Sequence, residues 1–183
     1  LRPTTAKPLG KCKGQGASTD ITGLAFLRDG RFASSARVNL VSKANGVKLW
    51  DQQGGLLPTY LLDSGVRKGP WESHELARTP SSDTLFSLSY SRMSASDPIG
   101  PGWYLHRITP EDGAVERVVD LSGEWDPLRA VRVDSLAVSD AHVAVSLLTT
   151  LRDEGDKYPK ESFAELRVYD HAGAVGGIAT QPN

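Results

Sequence analysis

Cysteine is almost missing from this chain of 183 residues: Cys12 is the only one. One thiol cannot close a disulfide within the chain, and it cannot build a cysteine zinc site alone. It can still pair with another chain, and the plainer alternative is a free thiol in a terminal segment. Methionine is as scarce, with Met93 alone, and the chain opens on Leu1. Such a start reads as a processed product, a fragment or a trimmed chain. Natural processing would lean towards a secreted or extracytoplasmic setting, although no signal peptide is seen. No apolar run approaches the roughly 20 residues that cross a bilayer, so no membrane-spanning helix is expected. An excess of one charge is also lacking. Lys and Arg number 21 and Asp and Glu 22, for a net charge of -1 and a pI near 6.5. That balance removes the bulk electrostatic reason to expect nucleic acid or an anionic membrane as partner. Arg2, Lys7, Lys11 and Lys13 do gather near the start, and they read as a solvated tail.

Several chemical signatures are absent as well. There is no GxSxG elbow, and no phosphate-binding glycine loop, HExxH or EF-hand spacing. The segment RDEGDKYPKE (152–161) is acidic, but its charges are mixed, and it reads as a solvated loop and not as a calcium site. No cofactor and no metal is therefore expected. A sustained 3.6-residue apolar period is missing too, which leaves no long amphipathic helix.

What the chain has is punctuation. Its 18 glycines and 11 prolines exceed the average usage of about 12% and fall between short apolar runs, as in a protein of many strands and turns. Three segments align: ITGLAFLRDGRFASSARV from Ile21, HELARTPSSDTLFSLSYSR from His74, and VDSLAVSDAHVAVSLLTTL from Val133. Each is an apolar strand, a polar turn and a second strand. The turns are Arg28-Asp29-Gly30, Ser81-Ser82-Asp83 and Ser139-Asp140-Ala141, whose residue types tolerate or cap turn geometry. A third strand follows in GVKLWDQQGG, GWYLHRITPEDG and FAELRVYDHAG, each closing on a turn glycine: Gly54, Gly113 and Gly173. A fourth follows in LLPTYLLDSG, AVERVVDLSG and AVGGIATQP. The expectation is an all-β chain of about three four-stranded antiparallel units, over 20–66, 67–124 and 125–183. Residues 1–19 are an extension, or a strand for a blade that a partner supplies. A β-sandwich is the alternative that also yields many short strands.

The repeat resembles the WD40/YVTN type of β-propeller repeat. LAFLRDGRFASSA with VKLWD, and LAVSDAHVAVS with LRVYD, carry the resemblance, which covers about residues 20–181. Trp50-Asp51 stands where the family has its WD dipeptide, and Tyr169-Asp170 is the weaker copy. The middle unit has Ile108-Thr109 there, no unit has the family's Gly-His dipeptide, and the units are somewhat longer than the ~40–50 residues of WD40 and kelch repeats. The resemblance implies that the aromatic fills space between neighbouring sheets while the acid caps the turn. Propellers typically close with 4–8 blades. Three blades leave an open arc, so a second protein chain or a second copy is expected to complete the ring.

In such a ring the channel mouth is bordered by the loops between units and by those joining second and third strands. The first set carries Trp71-Glu72 and Trp125-Asp126; the second set begins with Arg37, Arg92 and Arg152. Trp71, Trp125, Asp126 and the three arginines are the candidate ligand-binding residues. Aromatic faces can stack on sugars or flat ligands, and guanidinium forks suit carboxylate or phosphate. The structural alternative is that the arginines are solvated and the tryptophans pack between blades. His74, with Glu72 beside it, is the best candidate for general acid–base work. His106, His142 and His171 map to a third strand and two opposite turns. Two functions follow: a recognition or scaffolding chain of a multichain propeller, or one chain of a processed extracytoplasmic hydrolase or lyase with its site at the mouth.

Overall fold

The computed structural model describes residues 19–38, 46–61, 71–91, 102–122, 129–155 and 159–182. Cys12, Met93 and most of the 1–19 extension lie outside them.

The described residues are all β, with twelve strands and no helix. Sheet I contains β1 (Thr19–Phe26), β2 (Phe32–Val38), β3 (Gly46–Trp50) and β4 (Leu56–Leu61). Sheet II contains β5 (Trp71–Arg78), β6 (Leu85–Ser91), β7 (Gly102–Thr109) and β8 (Ala114–Asp120). Sheet III contains β9 (Arg129–Val138), β10 (His142–Leu151), β11 (Glu161–Asp170) and β12 (Val175–Pro182). Each sheet is antiparallel and ordered as its strands come in the chain. Three blade-like sheets, each a four-stranded meander, are what the repeat predicts.

The tight turns explain why the chain reverses where it does. At the end of β3, the Asp51 carboxylate accepts from the backbone N–H groups of Gln53 at 2.9 Å and Gly55 at 2.6 Å. At the end of β11, Asp170 does the same for Ala172 at 2.9 Å and Ala174 at 2.8 Å. Gly54 and Gly173 then take φ values of 84° and 92°, a region where a Cβ is disfavoured. The acid after each aromatic is therefore a turn cap.

Sheet II lies between the other two. One face of it packs on sheet I in a cluster of Ala25, Leu27, Ala33, Val47, Leu49, Leu76, Leu85, Tyr104 and Ile108. The other packs on sheet III in a cluster of Phe86, Leu88, Trp103, Leu105, Leu121, Val143, Val145, Leu147 and Tyr169. Side chains alternate along a strand, so Leu85 and Phe86, or Tyr104 and Leu105, enter opposite clusters. Burying each large apolar side chain contributes about 1.5–3 kcal/mol, which makes these two face-to-face contacts the main source of inter-sheet cohesion.

One expectation for the aromatics needs division. Tyr169 sits in the contact of sheet III with sheet II, and Ile108 in that of sheet II with sheet I. Trp50 occupies the same place in its repeat but on the face of sheet I turned away from sheet II, because its strand neighbour Leu49 faces sheet II. There Trp50 is buried, stacked on Phe32 with centroids 6.0 Å apart, and its indole N–H donates to Ser34 Oγ at 2.8 Å.

Hydrogen bonds between hairpin turns repeat along the stack. The backbone N–H of Arg28, in the β1–β2 turn, donates to Asp83 Oδ1 in the β5–β6 turn at 2.9 Å. The backbone N–H of Ser81, in that second turn, donates to Asp140 Oδ1 in the β9–β10 turn at 2.7 Å. The first turns of sheets I and II thus each donate a backbone hydrogen bond to an acid in the next first turn.

Candidate functional site

The first strand of each sheet lies along the line where the sheets come closest: β5 packs against β1, β2 and β3 on one side and against β9 on the other. Each of these strands carries a β-bulge at a matching place. The ladder skips Thr22 in β1, His74 in β5 and Asp134 in β9. Bulges insert an extra residue and re-aim its side chain. The repeat thus sets a threonine, a histidine and an aspartate at corresponding positions of three adjacent strands.

The residues after the bulges set the spacing of the sheets. A Cβ on Gly23 would lie 2.8 Å from the backbone nitrogen of Leu76, so glycine allows β1 and β5 their close approach. One sheet on, Glu75 holds the corresponding place, and its carboxylate accepts from the backbone N–H of Leu136 in β9. Partial burial raises the pKa of Glu75 above the usual carboxylate range, and the Leu136 bond opposes that shift. A carboxyl with a raised folded-state pKa favours folding below its unfolded value and loses that contribution as pH rises through the folded value. Glu75→Gln is therefore expected to melt above wild type at pH 7 and level with it at pH 3. A lower melting point at pH 7 would mean that the charge on Glu75 is needed.

His74 is half-buried and meets Trp103 edge-on, with centroids 4.6 Å apart. Tyr90 reaches the same indole at 5.2 Å. Trp103 is anchored across the sheets, since its Nε1–H donates to the Val131 carbonyl of β9 at 2.8 Å. His74, Tyr90 and Trp103 form an aromatic cluster near the end of sheet II from which the 92–101 and 123–128 connections leave. Trp103 and Tyr90 escaped the sequence reading because each sits inside an apolar strand and looks like core. The pairing of Tyr90 with Trp103 across β6 and β7 needs the register.

The other candidate residues divide as follows. Trp71 and Glu72 belong to β5, opposite Ser91 and Tyr90, and not to a connecting loop; Arg37 belongs to β2, opposite Asp20. In each case ladder pairing extends the strand beyond its apolar run. The side chains of Trp71, Glu72 and Arg37 are outside the described residues, as are Arg92, Trp125 and Asp126 altogether. Arg152 follows β10 directly and is exposed.

A second buried polar pair lies between sheets I and II: Ser89 Oγ is 2.7 Å from His106 Nδ1. Both residues are fully buried, so the pair ties β6 to β7 and offers no access to a substrate. Among the described residues, no three His, Cys, Asp or Glu side chains gather as a metal site, and no helix is long and apolar enough to cross a membrane. No protein-family model matches the chain, and a search of curated proteins finds no significant relative.

Proposed function

We propose that this chain is a recognition or scaffolding part of a multichain ring of the WD40/YVTN propeller type, which binds a ligand or partner at its mouth. The observation that supports this is the state of the end sheets. Sheet II is covered on both faces, yet Ile21, Leu24, Phe26 and Leu56 stay exposed on sheet I, and Leu166 on sheet III. A stack with apolar ends gains by associating through them, and a ring uses every end. His74 and the bulge row then face the inner side of the arc, with Tyr90 and the buried Trp103 packed behind His74, so a ligand would meet an imidazole backed by aromatic rings.

Native mass spectrometry with a denaturing run beside it tests this, together with binding of a fluorescent apolar dye. Association with itself or with another chain is expected, or a monomer that takes up the dye. A dye-silent monomer would sink the reading.

A further inference from the structure

Beyond the ring reading, and independently of it, we infer that the outer edge of sheet III is a self-association edge. β12 pairs antiparallel with the β12 of a second copy of this chain, about a two-fold axis at Ala179, and the two copies of sheet III become one continuous sheet. Three observations carry this.

The first is that β12 is the unguarded one of the three outer strands. The first strands lie along the line where the sheets come closest, so β4, β8 and β12 form the far edges, each paired on one side only among the described residues. Such an edge offers a row of backbone N–H and C=O groups, and proline, charge and bulges keep other strands off it. β4 has Pro58 in its middle, where its ladder with β3 slips. β8 carries Glu116, Arg117 and Asp120, and its ladder with β7 skips Val118. β12 reads VGGIATQP, with no charge and no proline before its last residue. Its one irregularity, at Gly176, comes early and leaves 177–181 in unbroken register with 164–168 of β11.

The second is access. Val175 is 61% exposed and Ile178 58% exposed, and Ala179, Thr180 and Gln181 are exposed as well. On the face of sheet III turned away from sheet II, the strand borders an open depression of about 500 Å³ whose lining includes Ser146, Ala164 and Leu166. An incoming strand therefore meets no overhang on that side. A Cβ built on Gly177 has nothing within 4 Å, and its φ is not in the left-handed region. Neither backbone angle nor crowding calls for glycine there, and a glycine inside a strand suits a place where another backbone comes close.

The third is that the strand is compatible with itself. Residues opposed in an antiparallel pair share one kind of ladder position, so a strand paired with its own copy is centred on a residue. An axis at Ala179 uses the whole regular run: Gly177 faces Gln181 of the second copy, Ile178 faces its Thr180, and Ala179 faces its own equivalent. Pro182, which has no N–H, falls outside the pairing. A two-fold axis also sets side chains near it against their like, so a charge there would repel itself, and β12 has none.

The test is sedimentation velocity on the full chain over a concentration series. A short strand pair belongs with the small interfaces, under about 1,200 Å², so wild type is expected in reversible equilibrium between the 19.7 kDa chain and its dimer. Ala179→Lys and Ala179→Glu should each weaken the dimer by about 10-fold or more, because each sets like charges together at the axis. An equimolar mixture of the two variants should restore a one-to-one pair, ammonium against carboxylate. Hydrogen exchange on the wild type needs no variant to fold: amides in 177–181 should slow as concentration rises, alternate ones most. A chain that stays monomeric at every concentration would overturn the inference, as would a dimer whose 177–181 amides exchange as fast as the monomer's. Two weakened variants that fail to rescue each other would overturn it in favour of a contact between unlike surfaces. Association through the end faces of the stack would leave these amides unchanged, so the ring reading can stand where this inference falls.

Discussion

Trp50→Ala is expected to cost about 3–5 kcal/mol of folding stability, the range for deleting a large buried aromatic. Trp50 is 1% exposed, its ring lies 11° from parallel with Phe32, and its indole N–H is bonded to Ser34 Oγ. The alanine variant loses the transferred area and leaves a cavity against Phe32. Since a domain of this size holds only about 5–15 kcal/mol in total, the loss should show as a large shift of the urea midpoint. Trp50→Phe separates the two contributions. It keeps most of the stacking and removes the donor to a buried hydroxyl, for about 1–2 kcal/mol. A loss below about 1 kcal/mol for Trp50→Ala would mean that the ring does not pack as described.

Gly173→Ala is the second large effect, expected at about 3 kcal/mol from two sources that add. The first is backbone strain, because Gly173 has φ = 92°, where a non-glycine residue costs about 1–3 kcal/mol. The second is steric. A Cβ there would stand 2.4 Å from the Val118 carbonyl oxygen of β8. That oxygen is backbone, at the bulge where the β7–β8 ladder skips Val118, so relief needs a shift of the main chain itself, and overpacking of this kind costs about 1–3 kcal/mol. The β11–β12 turn also meets sheet II through Arg107, whose NH1 donates to the His171 carbonyl at 3.1 Å. A displaced turn loses this bond as well. Gly155→Ala is the control: its φ is 87°, yet nothing lies within 4 Å of a built Cβ, so only the strain should appear. Equal losses at both positions would remove the Val118 contact from the account.

Both variants also bear on assembly. Trp50 is buried on the side of sheet I that also carries the exposed Phe26, while the turn at Gly173 holds sheet III on sheet II. The alanine at 50 should therefore weaken association along with folding, whereas the change at 173 should act on the stack itself.

The elements were legible in the sequence wherever their cause is local. Asp51 and Asp170 cap their turns through N–H groups two and four residues on, and a reader of WDQQGG and YDHAGA can see the acid and the glycine together. The strands over Phe86–Tyr90 and Val143–Thr149 show in their runs of apolar and small residues. The same local view misplaced Trp71, Glu72 and Arg37 in loops, because a polar strand end is indistinguishable from a loop until its partner strand is known. It missed Trp103 and Tyr90 as neighbours of His74 for the same reason.

By itself, the sequence determined that this chain is all β, that it repeats a four-stranded unit three times, and where its tight turns fall. These follow from two-residue alternation and from turn residues acting over a few positions. Only the tertiary structure decided which side of each sheet is covered. It alone shows Trp50 facing away from sheet II while Tyr169 is enclosed, the three bulges on adjacent strands, and the turn acids Asp83 and Asp140 serving the preceding sheet. The turn contacts join residues 55 and 59 positions apart, and the facing of each strand depends on its register with its neighbour. A shift of one residue in a strand would exchange its two faces, and no local pattern records which face the fold has chosen.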